Sequence, residues 1–210
     1  MDTVLYDYWR SSASYRLRIA LNLAGIHHRT VSVDLAAKEN LSAEHLARNP
    51  QGFVPVLDID GHQLTQSMAI LTYLNETRTL GLLPMEPAAR AQMEALAQSI
   101  AIDIHPVCNL QVAVKAAELA GRDAAKVDWM VRFIRPGLVA FETLLGAYDQ
   151  SPFCCGDRPM LPDIVLIPQV YNAQRWGVDI ADLARIGSAV RACETHPAFA
   201  AAYPDSVRPE

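Results

Sequence analysis

Three short runs near the start of the chain carry residue types suited to holding an anion and an extended backbone. Ser11-Ser12-Ala13-Ser14 falls where a β pattern gives way to a helical one. A helix N-terminus there offers unpaired N–H groups and a partial positive charge, and the hydroxyls can donate hydrogen bonds to an anion. The same serines would also serve as a plain N-cap run, and the residues alone leave both readings open. Val54-Pro55 stands just before a strand pattern. A cis bond would turn the preceding backbone outward to pair with an extended peptide; a trans bond, the commoner form, makes an ordinary strand start. Gln66-Ser67 opens another helical run and suits a carboxylate, or again a cap.

The elements that must position these runs follow from periodicity. Val4, Tyr6 and Tyr8 alternate as in a strand, and Leu17, Ala20, Leu21 and Ala24 share one helical face that stops at Gly25. Val31, Val33 and Leu35 alternate again, and Ser42 followed by Glu44 opens a short helix. Pro55 to Ile59, the turn Asp60-Gly61 and His62 to Thr65 form a hairpin, followed by a helix from Ser67. The strand–helix–strand start implies a right-handed crossover and a parallel pair. Leu83-Pro84-Met85-Glu86-Pro87 reads as a linker. Beyond it the chain is alanine-rich, without strand signal, and predicts helices near 88–120, 124–147, 162–176, 181–193 and 197–203. Pro106, Pro136 and Pro168 fall inside these patterns and are expected to kink or interrupt them.

Composition narrows the function classes. The 210 residues are 51% hydrophobic and 20% charged, enough to bury a sizeable core, and the net charge of −5 argues against a general nucleic-acid binder. No apolar run approaches the ~18 residues of a membrane span, and Met1-Asp2-Thr3-Val4 does not read as a secretory leader. Four cysteines, two of them adjacent as Cys154-Cys155, fit neither a disulfide framework nor a metal pattern, so no metal is expected. Cys108 and Cys193 are expected to pack inside helices. The expectation is a cytoplasmic protein with reduced thiols. No glycine-rich phosphate loop implies a nucleotide.

The run Trp9-Arg10-Ser11-Ser12-Ala13-Ser14-Tyr15-Arg16-Leu17-Arg18-Ile19-Ala20-Leu21 resembles the N-terminal signature of zeta-class glutathione transferases, a family that includes maleylacetoacetate and maleylpyruvate isomerases. Asn49-Pro50, Val54-Pro55 and Gln66-Ser67-Met68-Ala69-Ile70 match the spacing of its glutathione site. Asp103-Ile104-His105-Pro106 and Pro168-Gln169-Val170-Tyr171-Asn172-Ala173-Gln174-Arg175 match its helical half. The resemblance spans nearly the whole chain. It implies an α/β plus all-α architecture: a thioredoxin-like glutathione-binding domain over 1–82, then an all-α substrate-binding domain over 88–210. It also implies a homodimer and a cis Pro55.

Carried over by position, the resemblance places Ser11, with Ser12 beside it, at the glutathione sulfur as the catalytic pair. Val54, before Pro55, pairs its backbone with the cysteinyl part. Gln66 and Ser67 hold the γ-glutamyl carboxylate, and Lys38, Asn40 and Gln51 are candidates for the glycyl end. His105 and Asn109 approach glutathione from the first long helix. Arg10 and Arg175 receive the carboxylates of a small dicarboxylic keto acid, a planar guanidinium matching a carboxylate in bidentate fashion. Arg16 and Arg18, inside the helix, are assigned to structure.

The implied activity is glutathione-dependent cis–trans isomerisation of a maleyl acid, with glutathione regenerated as a cofactor. Maleylacetoacetate is preferred to maleylpyruvate because Asn109-Leu110-Gln111-Val112 lacks an extra arginine. Two other readings are a transferase acting on small halogenated acids and a glutathione-binding protein without enzymatic activity. Two positions depart from the family pattern. Ala13 replaces the usual cysteine, which removes a nearby protein thiol and disfavours dehalogenation. Met160 stands where a Ser or Thr usually caps the helix at Pro162-Asp163, and a methionine side chain cannot cap.

Overall fold

The computed structural model describes residues 2–209, which divide into two compact units, 2–81 with 196–209, and 82–195. In the first, strand β1 (Val4–Asp7), helix α1 (Ser12–Leu23), β2 (Arg29–Ser32), α2 (Ala43–Arg48), β3 (Val56–Ile59), β4 (His62–Thr65) and α3 (Ser67–Arg78) follow in order. The sheet runs β2-β1-β3-β4, with β1 parallel to β2 and the other pairs antiparallel.

Alternation along β1 sets which helix lies on which face. Asp7, on the face of Leu5, binds Arg18 of α1. Tyr6 turns the other way, and Arg48 of α2 stacks on its ring at 4.3 Å. Asp60 and Gly61 both have positive φ (53° and 81°), as the tight hairpin turn requires. Tyr73 and Arg78 of α3 bind the Asp60 carboxylate and tie that turn to the helix. α1 starts at Ser12, inside the Ser11–Ser14 run, and Gly25 at φ +63° ends it. Helix α2 is capped by Ser42, whose oxygen accepts the His45 N–H at 3.2 Å.

The second unit holds α4 (Pro87–Ala101), α5 (Leu110–Ala120), α6 (Ala125–Leu145), α7 (Leu161–Arg175) and α8 (Ala184–Thr195). Ile134, Leu138, Phe141 and Leu145 line the buried face of α6, while α7 is buried over most of its circumference and lacks an amphipathic stripe. Among the described residues no helix is long and apolar enough to cross a membrane.

Three expectations need correction. The predicted helix 88–120 is two helices, broken by turns at 102–109. Pro106 supplies no N–H there, Asn109 caps α5, and Trp129 Nε1 donates to Val107 O at 2.9 Å. Pro136 and Pro168, by contrast, interrupt neither helix: α6 and α7 run through them, held by their buried side chains across the missing backbone bonds. The run at 197–203 is a four-residue helix, α9 (Pro197–Ala200), and belongs to the first unit. There Asn22 donates to Ala198 O at 2.9 Å and Arg18 Nε to Ala202 O at 3.1 Å. Met160, as expected, caps nothing. The buried carboxylate of Asp163 accepts the N–H groups of Met160 and Cys154, each at 2.9 Å, and the Cys193 thiol at 3.8 Å. A carboxylate three residues into the helix thus does the work of the missing hydroxyl.

Candidate active site

Strand register brings the three candidate runs to one end of the sheet. Tyr6 of β1 pairs with Val56 of β3, and Val56 pairs with Thr65 of β4. The chain therefore leaves β1 toward Arg10-Ser11, enters β3 from Val54-Pro55, and leaves β4 into Gln66-Ser67, all at that end. Beneath it, Arg18 is held by both oxygens of Asp7 (2.8 and 2.7 Å) and donates to Trp9 O at 2.9 Å. This fixes the backbone two residues before Ser11.

Ser11 is the N-cap of α1, with extended backbone and its Oγ accepting the Ser14 N–H at 3.2 Å. The two readings of this serine are compatible. Its oxygen serves the helix, and the hydroxyl keeps one proton to donate. Ser12 is the first residue of α1. Ser14 turns inward, and its buried hydroxyl makes no hydrogen bond among the described residues. Arg10 lays its guanidinium over the Trp9 ring at 4.1 Å, with a buried Nε that has no partner. Arg208 approaches the same ring at 5.1 Å.

The Val54–Pro55 bond is cis, and Val54 precedes the paired residues of β3, which begin at Val56. The loop before it is held by two buried side chains, Asn49 of the matched Asn49-Pro50 run and His45, which the sequence reading passed over. His45 Nε2 lies 3.0 Å from Phe53 O, and Asn49 Nδ2 donates to the same oxygen at 2.9 Å. Asn40 donates to Gly52 O at 2.7 Å, so part of its amide serves the loop. Gln51 Oε1 accepts Gln66 Nε2 at 2.8 Å, which joins two predicted ligand residues directly. Gln66 has φ +68°, a sparsely populated conformation for a residue with a side chain, and gives α3 no side-chain cap. Ser67 is buried and accepts a hydrogen bond from Arg16 Nη1 at 3.2 Å. Lys38 stands on an exposed turn at φ +61°, with no hydrogen bond to the others among the described residues.

In the second unit, Asn109 caps α5, its Oδ1 accepting the Gln111 N–H at 3.1 Å. His105 lies in the turns after α4, its N–H bound to Ile100 O at 2.9 Å. Arg175 ends α7, 5.3 Å from the Trp176 ring. An open groove of about 1020 Å³ runs along α5 and α6 past Lys115, Leu119 and Trp129.

Burial accounts for the state of the thiols. It pushes Cys108 up to about 11 and Cys155 to about 12, and raises Cys154 and Cys193 further, with the Asp163 charge adding to the rise in the last three. None is a nucleophile at neutral pH.

Comparison with known proteins decides the family. Residues 1–76 match the glutathione S-transferase N-terminal domain. Over 210 residues the chain is 55% identical to maleylacetoacetate isomerase of Rhizobium meliloti, covering 99% of both. This chain belongs to the maleylacetoacetate isomerase family of zeta-class glutathione transferases. A solved maleylpyruvate isomerase, described as a bacterial glutathione S-transferase of the zeta class, superimposes with a TM-score of 0.93 at 38% identity, covering 99% of each chain. A maleylacetoacetate isomerase from Anaeromyxobacter dehalogenans, with dicarboxyethyl glutathione and citrate in its active site, gives a TM-score of 0.88 at 38% identity. It covers 100% of this chain and 97% of that one.

The thioredoxin-like unit followed by a helical unit is therefore the glutathione transferase fold. Within this zeta-class chain, Ser11, Val54, Pro55, Gln66 and Ser67 all fall inside the matched N-terminal domain. The contact that the sequence does not show is that of Arg16 with Ser67. A basic residue two positions from Arg18 on the helix pattern reads as another structural arginine, and no spacing rule shows that it reaches Ser67.

Proposed function

We propose that the chain is a glutathione-dependent cis–trans isomerase that converts maleylacetoacetate to fumarylacetoacetate, acting as a homodimer in the cytoplasm. The observation that carries this reading is the register of the sheet, which presents Ser11, Val54 and Gln66-Ser67 at one end. That arrangement fits a tripeptide. Ser11 faces the sulfur with Ser12 beside it, the Val54 backbone meets the cysteinyl part, and Gln66 with Ser67 takes the γ-glutamyl carboxylate. Gln51, bonded to Gln66, lies toward the glycyl end, with Asn40 and Lys38 as further candidates. The fit is supported by the orphaned buried donors Nε and Nη2 of Arg16, the arginine that binds Ser67.

Glutathione held there would supply a thiolate nucleophile for the isomerisation of the maleyl double bond and would be regenerated. The protein's part is to keep that sulfur ionised and the acid in place. Lowering a thiol pKa by ~2 units from ~8.5 takes ~2.7 kcal/mol. The start of α1 contributes ~0.3–2 kcal/mol. The Ser11 hydroxyl, donating to a charged acceptor, contributes ~1.5–3 kcal/mol. Together they span ~1.8–5 kcal/mol, a range that includes the ~2.7 required, so no general base is needed once each contributes near the middle of its range. Arg10, spread over Trp9, presents a guanidinium to a substrate carboxylate.

Preference for maleylacetoacetate rests on the 55% identical relative and on the lack of an arginine among Asn109-Leu110-Gln111-Val112. The homodimer is supported by apolar residues turned outward along α5 and α6, such as Leu119 at 79% exposure, which suit burial against a second copy.

The test is an absorbance assay with maleylacetoacetate and maleylpyruvate, each with and without glutathione. Turnover that needs glutathione and favours maleylacetoacetate is expected. Glutathione binding without turnover of either acid would make the chain a binding protein instead. Sedimentation equilibrium at assay concentration should return twice the chain mass.

A further inference from the structure

Arg16 and Arg18 lie two residues apart on α1, are equally hidden from solvent, and are treated oppositely by their surroundings. Arg18 is fully compensated: both oxygens of Asp7 and the carbonyls of Trp9 and Ala202 occupy its guanidinium. Arg16 is 2% exposed and donates one hydrogen bond, from Nη1 to Ser67 Oγ at 3.2 Å. Its Nε and Nη2 are buried without a partner, and among the described residues no carboxylate pairs with it. Burial lowers its pKa to about 10, so it remains a cation at neutral pH. A buried charge left unpaired is costly, and proteins rarely keep one without use.

Its place suggests the use. Ser67 is the first residue of the twelve-residue helix α3, 6% exposed, and Gln66 before it provides no side-chain cap. An arginine has no acceptor, so Ser67 cannot donate to it. Arg16 occupies a lone pair of Ser67 Oγ and leaves the hydroxyl proton for an acceptor on the other side. The positive charge behind the oxygen polarises that hydroxyl, and the helix start adds a second positive field of the same direction.

We infer that Arg16 is the fixed counter-charge of the anion site at the start of α3: acting through Ser67, it sets how strongly that site prefers a carboxylate. This rests on the reading in which Gln66 and Ser67 receive the γ-glutamyl carboxylate of glutathione. Arg16 is a positioning residue; it need not touch the ligand. The ligand's carboxylate in turn supplies the negative charge that Arg16 lacks within the protein.

The experiment is a binding cycle by titration calorimetry. Two tripeptides are compared, glutathione and 4-aminobutyryl-cysteinyl-glycine, which lacks only the α-carboxylate. Wild type should prefer glutathione by at least about tenfold, the worth of one charge-assisted hydrogen bond. In Arg16→Met and Arg16→Gln the preference should shrink to within about threefold, while Arg16→Lys restores most of it. Equal weakening of both tripeptides would mark Arg16 as merely structural and overturn the inference, as would an unchanged preference. Should the neutral variants fail to fold, the wild-type protein decides. The Arg16 Nε–H resonance, assigned through Arg16→Lys, should shift with glutathione and stay in place with the carboxylate-free tripeptide. Equal shifts, or none, overturn the inference. Wild type binding neither tripeptide would instead remove the glutathione reading itself.

Discussion

Arg18 grips both carboxylate oxygens of Asp7, at 2.8 and 2.7 Å, and with its remaining nitrogens holds the carbonyls of Trp9 and Ala202. One side chain thereby fixes the last residue of β1, the backbone leading to Ser11, and the C-terminal segment. Both members of the pair are buried. Removing one leaves the other as an uncompensated charge, so Arg18→Met or Asp7→Asn should cost ~3–5 kcal/mol in urea unfolding. The double variant should lose less than the sum of the two, because the stranded charge is gone.

Asp163 should be as sensitive for a different reason. Its carboxylate receives the N–H groups of Met160 and Cys154 and the thiol of Cys193. Asp163→Ala leaves these buried donors without an acceptor, at ~1–3 kcal/mol for each. We expect a loss of at least ~2 kcal/mol, read from denaturant midpoints. A loss below the ~1 kcal/mol typical of an exposed cap would show that another group opens α7.

The thiols predict an alkaline dependence of stability. Cys108 and Cys155 titrate at about 11 and about 12 in the fold, above the ordinary value of 9.0. The unfolded chain therefore gives up these protons first and binds fewer than the native state above that value. Stability must fall as pH rises, starting near the ordinary thiol pKa. Unfolding midpoints measured from about pH 8.5 to about pH 10 should decline. Cys108→Ala combined with Cys155→Ser should flatten the decline. In the native protein, aromatic disulfide reagents should react slowly at neutral pH, and the half-buried Cys155 should react before the other three.

Arg10 separates substrate handling from cofactor binding. Arg10→Met keeps an apolar stem against Trp9 and removes the charge. KM for the dicarboxylic acid should rise by about tenfold or more, the loss of one charged hydrogen bond, with glutathione affinity nearly unchanged. Equal losses in both would contradict its assignment.

Much of this was legible in the sequence because local rules carried it. The alternation of β1, the Asp60-Gly61 turn and the Ser11 and Ser42 caps each lie within a few residues, and the structure bears them out. The break at 102–109 was hidden because its neighbours Ala101 and Leu110 both favour helix, and the deciding contact comes from Trp129. The cap of α7 was hidden because Asp163 works on Met160 and Cys154 rather than through the usual hydroxyl. The partner of Arg16 lies fifty-one residues away, on another helix. Each of these depends on tertiary contact, which periodicity does not encode.

The central claim is that Ser11 and the start of α1 hold a sulfur ionised. The most direct test is ultraviolet titration of glutathione bound to the protein, following thiolate absorbance against pH. The midpoint should lie ~2 units below the ~8.5 of a free thiol in wild type, and move back by at least ~1 unit in Ser11→Ala. A wild-type midpoint equal to that of glutathione in solution would contradict the account.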